Sequence, residues 1–254
     1  MRQGDPTVSV VIPCYNMGEF VDEAVASIWT QTFDDYEVII VDDGSDDSGT
    51  SLKLDCLAQR GVKVIRVTNQ GVSAARNRGI TTAKGKYILT LDADDLIAPN
   101  YLEKAVGVLD SCPDVGVVSC DAELFGNLSG VLKLPEFSVD TLLARNIMHA
   151  SAVFRKECWR NAGGYGKVMK YGWEDWDFWI AMTTRNCIKV EHLSEPLFKY
   201  RIRRGSRDRS MSTFQKFLMM SLIVVRHFRC YVQTPMSLLR LVTNSDAIGN
   251  IWGR

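Results

Sequence analysis

The sequence predicts an α/β fold: a mostly parallel, mixed central sheet flanked by helices, in one domain with two halves. Strand-length runs rich in Val and Ile alternate with segments of helical spacing across the first 98 residues. Those runs are apolar at nearly every position, the mark of strands buried on both faces. Four polar clusters fall where the runs end, and sheets of this kind bind ligands outside the carboxyl ends of their strands.

Residues 8–12 read as the first strand, closed by Pro13. A helix follows, with Phe20, Ala24 and Ile28, and Val21 and Val25, at helical spacing behind Gly18. Residues 37–41 form a second strand, ending in Asp42-Asp43-Gly44-Ser45. Residues 52–58 read as helix, 62–67 as strand, 72–82 as helix and 87–91 as the fourth strand. Right-handed crossovers between such strands give a parallel sheet. Beyond Pro99 the alternation loosens. Helix is expected over 101–109, strand over 115–120, a loop or hairpin over 127–136, a short helix over 140–145 and a strand over 152–154. Gly163-Gly164-Tyr165-Gly166 is a loop, 174–183 a helix and 213–231 a longer helix.

Composition narrows the function classes. Thirty Lys and Arg balance thirty Asp and Glu, which argues against a whole-surface nucleic-acid binder. Seven Cys, an odd number with no C-x-x-C pair, indicate neither a disulfide framework nor a zinc site. Reduced thiols of a cytoplasmic protein are expected. Residues 1–10 hold no apolar core of signal-peptide length. The apolar run 217–225 falls well short of the roughly 20 residues that span a bilayer.

Asp92, Asp94 and Asp95 crowd the end of the fourth strand. A hard divalent cation, Mg²⁺ or Mn²⁺, relieves such repulsion with oxygen ligands alone. A helix cap from Asp94 or Asp95 is the competing reading, but it explains one carboxylate rather than three. Asp42-Asp43-Gly44-Ser45 suits acceptance of hydrogen bonds from a ribose or base, or an Asx turn at Asp42. Gly71 opens a helix whose first N–H groups favour an anion, and Arg76 lies one turn further, within reach of a phosphate or simply solvated. Trp173-Glu174-Asp175-Trp176-Asp177-Phe178-Trp179 packs aromatic faces among carboxylates. That mixture suits a sugar, with Trp179 expected in the core and Glu174 and Asp175 at the site.

Five segments in order then resemble one family. They are Val8-Ser9-Val10-Val11-Ile12-Pro13-Cys14-Tyr15-Asn16, Val41-Asp42-Asp43-Gly44-Ser45, Asn69-Gln70-Gly71-Val72-Ser73-Ala74-Ala75-Arg76-Asn77, Asp92-Ala93-Asp94-Asp95 and Trp173-Glu174-Asp175-Trp176-Asp177. Together they look like the inverting family 2 glycosyltransferases of the Rossmann-like GT-A fold, over residues 7 to about 205. The resemblance implies a nucleotide-sugar donor, commonly UDP-linked, and a glycan or lipid-linked acceptor. It places Pro13, Tyr15, Asp43 and Asp92 on the nucleotide and Arg76 on the pyrophosphate. It makes Asp92 and Asp94 the metal pair, with Asp94 the direct contact, and Asp175 the catalytic base. Trp173, Glu174 and Trp176 fall to the sugar or acceptor. The implied domain is 1–210, with a nucleotide half at about 7–98, an acceptor half at about 99–210, and a helical extension at 211–254.

One departure is notable. The family often carries Tyr-Arg-x-His where this chain has Tyr200-Arg201-Ile202-Arg203. Arg stays protonated and cannot ligate a metal. Either Arg203 or Arg204 pairs with the diphosphate, or the site holds metal weakly, as in a catalytically weak sugar-nucleotide-binding module. A nucleotidyltransferase is a further rival, but it wants a basic Gly-rich loop after the first strand, and residues 13–18 are not one. Nine basic residues over 199–229, against Asp208 alone, raise peripheral contact with the inner face of a membrane.

Overall fold

The computed structural model describes residues 4–203 and 211–243. Its elements run β1 (Val8–Cys14), α1 (Val21–Trp29), β2 (Tyr36–Asp42), α2 (Ser48–Gln59), β3 (Lys63–Arg66), α3 (Val72–Thr82), β4 (Tyr87–Thr90), β5 (Leu96–Ile97), α4 (Tyr101–Ser111), β6 (Val115–Gly126), β7 (Gly130–Leu132), α5 (Val139–Ala144), β8 (Val153–Arg155), α6 (Lys156–Ala162), α7 (Glu174–Asn186) and β9 (Lys189–Ile202). The chain continues through α8 (Thr213–Arg226), α9 (Phe228–Gln233) and α10 (Pro235–Thr243).

One sheet carries the order β3-β2-β1-β4-β8-β6-β9-β5, with β7 beside β6. β1, β2, β3 and β4 are mutually parallel, as the alternating segments of the first 98 residues require. β8 enters antiparallel between β4 and β6, so the second half of the sheet is mixed. Every residue of β1 is buried, because helices cover both of its faces. Two apolar cores lie on opposite faces. One gathers Val10, Ile12, Ile28, Ile40 and Tyr101. The other gathers Val11, Ile39, Phe154, Trp176 and Trp179.

Several elements depart from the sequence expectation. β9 was not expected at all: Lys, Glu, His and Arg interrupt its apolar residues, and Pro196 sits within it. Pairing with β6 along nearly its whole length makes it a strand, and the register breaks at Asp121 opposite Pro196, where a proline is tolerated. The helix expected over 213–231 stops at Arg226, turns at His227 and resumes at Phe228. α6 and β5 also lay outside the expectation, whereas α10 falls within the helical extension expected over 211–254. Met219, Ile223, Tyr231 and Leu241 of the three C-terminal helices sit in the same core as Trp176.

Candidate active site

The carboxyl ends of β1, β2 and β4 open, with the end of β9 and the segment before α7, onto one cavity of about 460 Å³. The ends of β1 and β2 contribute Pro13, Tyr15 and Asp43, α3 and the turn after β4 contribute Arg76, Asp92 and Asp94, and the opening of α7 contributes Trp173, Glu174 and Asp175, with Arg203 joining them after β9. The five separated segments of the sequence therefore meet at a single place.

At the first end, Ser45 N–H donates to Asp42 Oδ1 at 2.9 Å, and Gly44 takes φ +75. Asp42 thus forms the local turn rather than facing a ligand. Asp43 accepts from Gln70 N–H at 2.9 Å and Gly71 N–H at 2.8 Å, which draws the loop before α3 against β2. Tyr15 is exposed at the cavity mouth.

Arg76 is buried and bridges the two halves. Its Nη2 donates to Asp92 at 2.6 Å and its Nη1 to Glu174 at 2.9 Å. Burial disfavours its charge, yet the two carboxylates outweigh that and raise its pKa further, so it stays a cation. The sequence expectation set Arg76 against a pyrophosphate. In the structure both terminal nitrogens are engaged by carboxylates, and the single guanidinium bridges two acids 82 residues apart, Asp92 and Glu174.

Asp95 is buried and accepts from Arg201 N–H at 2.9 Å. Burial pushes its pKa well above the ordinary carboxylate value, and repulsion from Asp94 and Asp92 adds to this. The helix-cap alternative does not describe these acids, since Asn100 stands at the cap of α4, but they do span a short turn, with Asp95 N–H donating to Asp92 O at 3.0 Å. Asp94 Oδ2 accepts from Arg203 Nε at 2.6 Å. Arg204, expected with it on the diphosphate, lies outside the described residues.

Among the described residues no three His, Cys, Asp or Glu side chains converge on one cation position. Asp92 and Asp94 are nonetheless part-open to the cavity. Two carboxylates on an open wall fit a Mg²⁺-like ion, which takes one or two carboxylates and completes its shell with water and substrate phosphates. The donor set fits a metal that arrives with a diphosphate.

Asp175 stands at the first turn of α7. Asn146 donates to its Oδ2 at 3.1 Å and Trp176 N–H to its Oδ1 at 2.8 Å. Burial first, and then the neighbouring Glu174, push its pKa up to about 7, against the pull of Arg76 and those two donors. Desolvation thus works against the ionised form of the base, and Arg76 and the two donors work for it. Trp173 lines the cavity, but Trp176 is buried and donates from Nε1 to Leu142 O at 2.6 Å, so it is a core residue and not a sugar contact. Its helical position turns it away from the cavity. Trp179 is in the core, as expected.

The sequence reading missed Asn146, which lies in the segment between α5 and β8 and carries no motif. Phe198 and Tyr200 were missed with β9. His149 lines the cavity while its ring stacks on Phe198 at 4.4 Å, and burial lowers its pKa to about 3.

Comparison with known proteins identifies the fold and the family. GlyG, a glycosyltransferase of Streptococcus pneumoniae, is 35% identical over 150 residues, which are 57% of this chain and 50% of GlyG. The chain thus spans about half the length of that relative. An uncharacterized glycosyltransferase of Methanocaldococcus jannaschii is 29% identical over 225 residues, 83% of this chain and 75% of the relative. Among solved structures, S. aureus TarS in complex with UDP-GlcNAc superposes with a TM-score of 0.73 at 21% identity, over 92% of this chain and 70% of that one. The mannosyltransferase PcManGT from Pyrobaculum calidifontis, in complex with GDP-Man and Mn²⁺, gives a TM-score of 0.63 at 20% identity, over 94% and 74%. At such identities the likeness speaks for the fold, which is that of GT-A glycosyltransferases. The Glycosyl transferase family 2 profile matches residues 9–155, more than half of the sequence, and the chain belongs to that family.

Proposed function

We propose that this chain transfers a sugar from a UDP-sugar to an acceptor hydroxyl, with inversion, in one displacement assisted by a divalent metal. One observation carries the reading. The buried Arg76 ties Asp92 of the first half to Glu174 of the second, so the acids after β4 and the acids opening α7 face one cavity.

The first half, about 7–98, takes the nucleotide through Pro13, Tyr15 and Asp43, and the second half, about 99–210, takes a glycan or lipid-linked acceptor beside Trp173 and Glu174. Asp94 and Asp92 hold Mn²⁺ or Mg²⁺. When bound, that cation offsets the charge of the departing diphosphate. Asp175 removes the proton of the acceptor hydroxyl as the hydroxyl oxygen attacks the anomeric carbon. A base with a pKa of about 7 suits that task at neutral pH. A single displacement requires no covalent nucleophile, and it inverts the anomeric centre. Arg203 turns from Asp94 to the diphosphate.

Support for peripheral membrane contact comes from α8, α9 and α10. Phe214, Phe217, Val225, Phe228, Val232, Met236 and Leu239 are exposed there, and residues 211–243 include no Asp or Glu. Against this, Lys199, Arg201, Arg203 and Arg226 of the basic run are already paired with acids of the same chain. Among the described residues no helix is long and apolar enough to cross a membrane.

The Arg203–Asp94 pair favours a second reading, a donor-binding module with weak catalysis. Incubating the protein with UDP-GlcNAc or GDP-Man and Mn²⁺ separates the readings. Metal-dependent release of the nucleoside diphosphate supports transfer. Binding without release supports the module, and conversion of the donor with added inorganic diphosphate to a nucleoside triphosphate and a sugar 1-phosphate supports a nucleotidyltransferase. Undiminished turnover in excess chelator overturns the metal assignment.

A further inference from the structure

Asp177 belongs to the acidic run at the start of α7 but leaves the cavity. It follows Asp175 by two residues, about 200° around the helix, and its side chain is fully buried. Its Oδ1 accepts from Arg226 Nε at 2.7 Å and from His227 Nε2 at 2.9 Å. Burial pushes the Asp177 pKa up, but hydrogen bonds from His227 and Arg226 outweigh it and hold the carboxylate below its ordinary value. Among the described residues no donor meets Oδ2, so these two residues of the C-terminal helices carry its anchoring. Gly166 completes the nest: a Cβ there would stand 2.5 Å from Asp177 Oδ2 and 3.0 Å from Arg226 Nη2.

The turn so gripped is strained at its start. Trp173 caps α7 in the left-handed region, φ +62, and its side chain makes no capping hydrogen bond. Such a conformation persists only where the surroundings over-determine it. On the cavity side the ties are Arg76 to Glu174 and Asn146 to Asp175. Behind, they are Trp176 Nε1 to Leu142 O and the Asp177 cluster. Tyr231 Oη donates to Leu143 O, seating α9 against the same α5 end.

We infer that Arg226 is a positioning residue for the transfer reaction: by holding Asp177 it sets the rotation of the first turn of α7 and thereby the place of the Asp175 carboxylate. The inference rests on the reading of Asp175 as the base. It makes the C-terminal helices part of the site's framework rather than an appendage.

The test compares Arg226→Gln, Arg226→Lys and Asp175→Asn with the unaltered chain. Turnover is followed with UDP-GlcNAc or GDP-Man and Mn²⁺, UDP and GDP affinity by calorimetry, and melting by circular dichroism. The Trp173–Trp176 ring pair, 5.6 Å apart and near perpendicular, supplies a near-ultraviolet dichroism band that reports the turn and needs no turnover. Arg226→Gln is expected to lower kcat roughly tenfold or more, since small misplacements of a reacting group are costly. KM and nucleotide affinity stay within about twofold, the near-ultraviolet band weakens, and Arg226→Lys recovers part of both losses. Unchanged kcat with an unchanged band overturns the inference, as does equal loss in the Gln and Lys variants that tracks melting alone. Where Asp175→Asn loses turnover but Arg226→Gln does not, positioning fails and the base stands. Where Asp175→Asn keeps full turnover, the base reading fails and this inference fails with it.

Discussion

Replacing Asp175 by Asn perturbs stability and rate with opposite signs, and the sizes follow from its surroundings. Burial and Glu174 raise its pKa from 3.8 to about 7. The native state therefore binds more protons than the unfolded chain between about pH 4 and 7, so Asp175 erodes stability as pH rises through that window. At 1.36 kcal/mol per unit, a shift of about three units sets a ceiling of about 4 kcal/mol. About two of those units lie above pH 5, so a comparison from pH 5 to pH 8 spans at most about 2.7 kcal/mol, and the part-exposure of the carboxylate to the cavity brings the expected figure to about 2 kcal/mol. Asp175→Asn carries no charge, so its stability relative to the unaltered chain is expected to climb by about 2 kcal/mol between pH 5 and pH 8. Urea unfolding of both proteins at pH 5, 6, 7 and 8 measures this. Turnover moves the other way. The rate for the unaltered chain is expected to rise with pH to a plateau above a midpoint near 7, and Asp175→Asn is expected to fall by about 10²–10⁴-fold at the plateau with nucleotide affinity retained. A stability difference that stays flat from pH 5 to pH 8 refutes the raised pKa. Near-normal turnover in Asp175→Asn refutes the role, with Glu174 the next residue to examine.

Asp94→Ala is expected to abolish metal-dependent turnover while melting within a few degrees of the unaltered chain, since Asp94 is part-exposed and its ion pair is with the part-exposed Arg203; calorimetric titration with Mn²⁺ and UDP checks the lost metal. Arg76→Met leaves Asp92 and Glu174 facing each other without a cation. A loss of about 3–5 kcal/mol in urea unfolding is expected, and a loss under 1 kcal/mol would show the bridge to be incidental. Liposome sedimentation is expected to give more binding to anionic than to neutral vesicles, falling with salt, and less after Phe217→Ser with Phe228→Ser. Equal binding to both vesicle types removes the membrane reading.

The first half of the fold was legible in the sequence because it is built from local rules. Residues 8–12, 37–41 and 87–91 are apolar runs that only a doubly covered strand accommodates, and the helix expected over 72–82 is α3 to the residue. The clusters at strand ends were legible for the same reason, since a parallel sheet brings its carboxyl ends to one rim. What the sequence could not determine depends on contacts between distant segments. β9 is a strand because β6 pairs with it, not because of its own composition. Asn146 reaches Asp175 across 29 residues. Arg76 reads as a phosphate ligand in its motif, but tertiary packing places it between Asp92 and Glu174. Trp176 and Trp173 are alike in the sequence, and only the direction of α7 sends one to the core and leaves the other at the cavity. Asp175 and Asp177 are identical residues two positions apart. The tertiary structure buries one beside another acid and the other beside Arg226 and His227, and so drives their pKa values in opposite directions.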